Sequence, residues 1–102
     1  MVITGIWKCN DGGTYYVRQI GKIVWWMGIS NDGGNLFTNV FRGNIQESQI
    51  DGEWTDVPRG SILNNGTLAL RIIMDSDKNA SNLQKISASG GFSGSAWQKL
   101  KQ

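Results

Sequence analysis

The side chains that most often carry catalysis are scarce in this 102-residue sequence, which has no histidine and one cysteine, Cys9. The commonest general base and the Ser–His and Cys–His nucleophile pairs are therefore missing. Lys8 precedes Cys9 and would favour its thiolate, but no base accompanies it, and a small buried cysteine is the ordinary interpretation. Glu53 and Asp56, three residues apart on one strand, face opposite sides and make a poor acid–base pair. The sequence therefore predicts a protein that is not an enzyme, with no metal site and no cofactor.

A set of aromatic and polar residues has the chemistry of a small-molecule pocket. Apolar ring walls bury a ligand, and a few amide, hydroxyl and carboxyl groups fix its orientation. The alternative, left open here, is that these side chains fill the interior and satisfy one another, since an unpaired buried polar group costs about 1–3 kcal/mol. The residues predicted to bind a ligand are Tyr15, Gln19, Trp26, Ser30, Asn39, Trp54 and Asp56.

A second set of large residues lies at the alternate positions of the same strands: Tyr16, Arg18, Trp25 and Met27. These residue types are enriched at protein interfaces, and Arg18 over Trp25 would form a cation–π pair worth about 0.5–1 kcal/mol. We expect this stripe to be a homo-oligomer contact. Two alternatives are an outer face covered within the monomer and a stacking platform for carbohydrate or bases.

Turn signals divide the chain into short segments rich in β-branched and aromatic residues. The tetrad Asn-Asp-Gly-Gly occurs at 10–13 and again at 31–34, and Gly21-Lys22 is a two-residue connection. With no convincing helix and short loops between neighbours, the pattern predicts one all-β domain over residues 1–102, an antiparallel up-and-down barrel of about eight strands. The predicted strands are Val2–Cys9, Thr14–Ile20, Ile23–Ser30, Leu36–Gln46, Gln49–Val57, Thr67–Asp75, Leu83–Ser89 and Phe92–Leu100.

The two-residue turn also predicts a register. It places Arg18 opposite Trp25 on one face and Val17 opposite Trp26 on the other. Both faces of this hairpin are rich in large apolar groups, so something must cover the outside. On the other strands, the residues predicted to face the interior are Phe37, Asn39, Phe41, Trp54, Asp56, Leu68, Leu70, Ile72 and Met74.

Composition limits the partners. The net charge is only +2, which does not favour nucleic acid as a partner. A single cysteine excludes an internal disulfide, and the sequence has no basic-then-apolar leader and no apolar run near 18 residues. No membrane partner is expected, and the default compartment is the cytoplasm, although a chain whose leader has been removed would look the same.

The opening segment, Ile3-Thr4-Gly5-Ile6-Trp7 followed by a hairpin, resembles the first strand of avidin- and streptavidin-type barrels, and its Gly-x-Trp core is similar to the lipocalin opening. Both belong to the calycin group. The resemblance implies that Trp7 closes one end of the barrel under a cation from the last strand, Lys99 or Lys101, with Trp97 as a second candidate for the plug. It also implies that these residues point inward: Tyr15, Val17, Gln19, Val24, Trp26, Gly28 and Ser30.

The resemblance does not extend to the avidin ligand. Where avidins carry an Asn and a Ser that bind biotin, this sequence has Cys9 and Gly13, so biotin binding is not implied. The chain also resembles small bacterial proteins with the pattern Trp-x-x-Asn-Asp-Gly-Gly-x-Tyr-Tyr, here residues 7–16. That likeness supports the fold and says nothing of an activity.

Two hypotheses about function follow. The first is a non-enzymatic barrel that binds a small apolar or aromatic ligand in its lumen or serves as an oligomeric structural or interaction protein. The alternative is a module that binds carbohydrate or single-stranded nucleic acid on its surface through Trp25, Arg18 and Arg42.

Overall fold

The chain forms a closed barrel of eight antiparallel strands in simple sequential order, in which the last strand pairs with the first. This confirms the predicted fold class. The computed structural model describes residues 2–101; Met1 and Gln102, the ends of the predicted domain, lie outside the described residues. The strands are β1 Gly5–Cys9, β2 Thr14–Ile20, β3 Ile23–Ile29, β4 Thr38–Gln46, β5 Gln49–Asp56, β6 Asn65–Met74, β7 Ala80–Ala88 and β8 Ala96–Lys99.

Residues 2–101 contain no helix, and so none that is long and apolar enough to cross a membrane. Hydrogen-bonded pairing of β1 with β8, for example Trp7 opposite Lys99, leaves no free sheet edge. Each strand can therefore send one row of side chains inward and the alternate row outward.

The predicted hairpin register is confirmed. Arg18 pairs with Trp25 and Val17 with Trp26 across the turn at 21–22. Val17 and Trp26 are buried, whereas Trp25 is exposed. The two-residue turn fixes the register of this hairpin. A shift of the register by one residue would exchange the inward and outward faces of the strand.

The predicted end of the chain is wrong in its strand bounds. The last strand has only four residues, and the segment from Gly90 to Ser95 is not part of it. Gly90 and Gly91 both have positive φ values, which redirect the chain across the end of the barrel. Phe92 is buried there, with its ring edge-on to that of Trp54 at 4.9 Å between centroids.

The interior set is confirmed except at the ends of two strands, where Met74 is exposed and Asp56 is only partly buried. Leu68, Leu70 and Ile72 are buried, but Met74 is exposed. Met74 is the last residue of β6, so its side chain lies at an end of the barrel and not in its middle. Simple alternation therefore fails at this end of β6.

Large aromatic rings fill the middle of the barrel. Tyr15 is edge-on to both Trp26 (5.1 Å) and Trp97 (5.8 Å), and Trp26 stacks on Phe41 at 4.4 Å. Phe92 completes the contact chain by stacking on Trp97. Offset and edge-on ring pairs of this kind add about 0.5–1.5 kcal/mol each to ordinary burial.

Trp7 on β1 contacts the segment that precedes this strand. Its ring is fully buried and its Nε1–H donates to the Ile3 carbonyl at 2.9 Å. Lys99 is the cation above it, with Nζ 6.0 Å from the ring centroid, while Lys101 is exposed. Trp97 lies in the ring cluster rather than beside Trp7.

Gly28 makes room for the central ring. A Cβ at this position would collide with the Tyr15 ring and lie 2.7 Å from Asn39 Oδ1. Gly28 pairs directly with both of these residues across the neighbouring strands. The absence of a side chain here therefore allows the Tyr15 ring to pack against the backbone of β3.

We predict that Gly28→Ala lowers the free energy of unfolding by about 1–3 kcal/mol, because the added methyl group overpacks the ring cluster. Asn44→Ala, on the exposed face of β4, is the control and should change it by less than about 0.5 kcal/mol. Urea denaturation followed by tryptophan fluorescence measures both. Equal stability of the two variants would contradict this account of the core.

Candidate functional site

Tyr15, Trp26 and Asn39 form a buried hydrogen-bonded chain inside the barrel. The Trp26 Nε1–H donates to Asn39 Oδ1 at 3.0 Å, and the Asn39 amide lies 3.5 Å from the Tyr15 hydroxyl. The Tyr15 hydroxyl donates to Asp11 Oδ2 at 2.5 Å. These polar groups therefore satisfy one another without a ligand.

Asp11 belongs to this chain and was not among the predicted site residues. Its other carboxylate oxygen accepts from the Gly13 backbone N–H at 2.8 Å, so the first Asn-Asp-Gly-Gly turn places Asp11 over the mouth of the barrel. The available signal was the turn itself, since an aspartate bonded to the backbone two residues later has a fixed side-chain direction.

Burial controls the protonation of the two weak acids next to Asp11. Desolvation, followed by the negative charge of Asp11, raises the pKa of the Tyr15 hydroxyl far above its ordinary value. Desolvation also raises the pKa of the Cys9 thiol to about 12. Both groups stay protonated at neutral pH, and Cys9 is a small buried cysteine, as the sequence indicated.

Two predicted ligand residues make local hydrogen bonds instead: Ser30 within the turn after β3, and Gln19 to the N-terminal segment and the turn after β2. The Ser30 hydroxyl donates to Asp32 Oδ1 at 2.6 Å, and this hydrogen bond is the main reason that the pKa of Asp32 is lowered. Gln19 accepts from the Ile3 backbone N–H at 2.9 Å and donates to the Gly21 carbonyl at 3.0 Å. Their side-chain groups are engaged locally.

The remaining predicted ligand residues, Trp54 and Asp56, line a small cavity at the barrel mouth together with Asn39. The cavity measures about 50 Å³, enough for one or two waters, each of which takes about 30 Å³ in the liquid. Asp56 Oδ2 accepts from the Asn64 backbone N–H at 3.0 Å, and partial burial raises the pKa of Asp56. The seven predicted residues thus do not line one chamber.

The four residues predicted as an interface lie on the outer surface of β2 and β3. Tyr16 pairs with Met27, and Arg18 pairs with Trp25. On β4, Val40 follows Met27 in the same row and is also exposed. Tyr16, Trp25, Met27 and Val40 form one contiguous set of exposed apolar side chains, here called the outer patch.

The cation–π partner of Trp25 is Arg42 and not Arg18. The Arg42 guanidinium lies over the Trp25 ring, 5.4 Å from its centroid. Trp25 has a directly paired arginine on each side, Arg18 on β2 and Arg42 on β4. Trp25 borders a groove formed with β4, β5 and β6, so its ring lies on the side of Arg42.

That groove was missed by the sequence analysis. It has a volume of about 590 Å³, within the range of ligand sites. It is lined by side chains of the four neighbouring strands β3 to β6. Its outward-facing lining residues are Trp25, Val40, Arg42, Glu53, Thr55, Asn65 and Thr67. The available signal was side-chain size, since the outward residues Val40 and Thr55 are much smaller than Trp25.

Comparison with protein-family models, curated proteins and solved structures gives no match for this chain. Within residues 2–101 there is also no group of three or more His, Cys, Asp or Glu side chains that could hold a metal ion. The candidate site is therefore defined by its geometry alone: a filled lumen, an exposed apolar outer patch, and an adjoining groove.

We predict that Tyr15→Phe lowers the free energy of unfolding by about 1–3 kcal/mol, because Asp11 and Asn39 lose a buried partner. The matched control is Tyr16→Phe on the exposed face of the same strand, with an expected change below about 0.5 kcal/mol. Thermal and urea denaturation measure both variants. Similar losses at the two positions would show that the buried hydrogen-bonded chain does not stabilise the fold.

Proposed function

We propose that this protein is a non-enzymatic barrel that associates with further copies of itself through the outer patch. The observation that carries the proposal is the exposure of Trp25, Tyr16 and Met27 beside one another on a rigid sheet. A large contiguous apolar surface is unusual on a protein that stays monomeric.

The residue types of the outer patch support a protein interface. Trp, Tyr, Met and Arg are enriched at interface centres, and Trp, Tyr and Arg contribute most often to binding energy. Trp25 and Arg42 already lie against each other, so little side-chain freedom is lost when a partner covers them. The strands beneath are held on both sides by neighbouring strands, which gives a pre-organised surface.

The filled lumen weighs against the small-ligand hypothesis. Tyr15, Trp26 and Trp97 contact one another across the barrel centre, and their exposed fractions are 3% or less. A ligand would have to displace rings that already contact one another closely, and the mouth cavity is too small for an aromatic compound. Binding through the outside of the barrel needs no such rearrangement.

Binding of a neutral oligosaccharide in the groove is the second candidate, and the observation that favours it is the combination of Trp25 with the hydrogen-bonding groups of Glu53, Asn65 and Thr67. Sugar rings stack on exposed indoles. Here, however, the Arg42 guanidinium covers one face of Trp25, and the groove leaves Tyr16 and Met27 without a role. Self-association accounts for the whole patch.

We predict that the wild-type protein dimerises reversibly and that Met27→Ser raises the dimer dissociation constant by at least about tenfold, as loss of an interface residue does. The matched control is Met74→Ser, because Met74 is exposed to a similar extent (47%, against 42% for Met27) on another part of the surface. Sedimentation equilibrium over a concentration series gives both constants.

Equal effects of the two methionine substitutions would contradict the assignment of the interface. A wild-type protein that stays monomeric at every accessible concentration would overturn the proposal. If that monomer also bound oligosaccharides in a manner that Trp25→Ser abolished, the second candidate would replace it.

A further inference from the structure

We infer that the self-association is a twofold, reciprocal dimer in which the β3 side chains of each copy occupy the groove of the other. In this dimer Arg18 faces the partner's Glu53. The inference rests on the proposed function and adds the arrangement of the two copies. It follows from the order of charges across the outer surface and from the position of the groove.

One row of outward side chains runs across four strands with opposite charges at its two ends. Successive strand pairs align Arg18 with Trp25, Trp25 with Arg42, and Arg42 with Glu53. The β2 end of the row is therefore cationic and the β5 end anionic. Asp51, the next outward residue of β5, adds to the negative end.

A twofold axis makes this order self-complementary. In an isologous dimer the same surface is used by both copies, and an axis passing between β3 and β4 reverses the order of strands in the partner. The β2 end of one copy then lies against the β5 end of the other. Arg18 faces the partner's Glu53 twice in each dimer, once on each side of the axis.

The same axis also brings the exposed β3 side chains of one copy to the groove of the other. It lays β3 of one copy over β4 of the other, beside Val40 and Thr55, which line the groove. Trp25 and Met27 are the large exposed side chains of β3. A groove of about 590 Å³ can accept an indole ring, and a Trp that fills a partner's concavity is a common interface anchor.

The curvature of the barrel explains the distribution of side chains. The outer surface is convex, so two copies approach closely only at the central strands and diverge toward β2 and β5. Apolar residues, Trp25, Met27 and Val40, lie where the approach is close, together with Arg42, whose guanidinium lies over the Trp25 ring. Arg18 and Glu53 have long side chains that reach across the wider gap at the rim, which matches the usual arrangement of an apolar centre and a charged rim.

A charge-reversal experiment tests this arrangement directly. Arg18→Glu alone places two glutamates against each other at both rims, and Glu53→Arg alone places two arginines there. We expect each single variant to associate about tenfold or more weakly than the wild type. An equimolar mixture of the two variants puts opposite charges at both rims again, and it should form a mixed dimer within about threefold of the wild-type affinity.

Two charge reversals away from the outer patch are the controls: Arg71→Glu on the exposed face of β6, and Asp77→Arg in the loop between β6 and β7. Neither should change association at moderate salt. Sedimentation equilibrium measures the affinities, and native mass spectrometry separates mixed from homotypic dimers. Recovery in the mixture also shows that both variants are folded.

The outcomes distinguish this inference from the proposed function. A wild-type dimer that Met27→Ser disrupts, but that neither charge reversal weakens, would overturn the reciprocal arrangement and leave the proposed interface standing. If the mixture of the two variants does not recover the wild-type affinity, the reciprocal arrangement is likewise overturned and the proposed interface stands. A monomeric wild type would overturn both, and weakening by the single variants with recovery in the mixture supports both.

Discussion

Contact between the rings of Tyr15, Trp26 and Trp97 across the barrel axis is the interaction on which the rest of the structure depends. Eight strands enclose a space just wide enough for side chains to fill, and these rings fill it. Gly28 leaves room for the central ring, and Asn39 pairs the indole N–H that would otherwise be buried alone. Because successive residues of a strand face opposite sides, the inward position of these rings determines which neighbouring residues face the solvent.

The outer patch results from the same alternation of inward and outward side chains along β2 and β3. Sending Tyr15 and Trp26 inward sends their chain neighbours Tyr16 and Trp25 outward, although these neighbours are equally large. The lumen is already occupied, so the barrel has no second core to cover them. Polar side chains would be expected on a face that contacts only water, and this contrast is the reason for proposing self-association through the outer patch.

Sequence reasoning succeeded where short-range chemistry determines the structure. The Gly21-Lys22 turn set the register of Arg18 against Trp25, and strand alternation placed most of the core. It failed where the outcome depends on tertiary contacts: Met74, at the end of β6, is exposed, and Phe92 lies outside its predicted strand and packs against Trp54. Asp11 and the choice of Arg42 over Arg18 depend in the same way on how loops and neighbouring strands meet.

The five tryptophans are divided between the interior, which holds four of them, and the surface, where Trp25 lies in the proposed interface. Fluorine NMR of 5-fluorotryptophan-labelled protein over a concentration series tests this division most directly, since each indole gives its own resonance. As the dimer forms, the Trp25 resonance is expected to shift with concentration, while those of Trp7, Trp26 and Trp97 stay in place. Shifts at Trp26 or Trp97 with an unchanged Trp25 signal would contradict this division of the tryptophans.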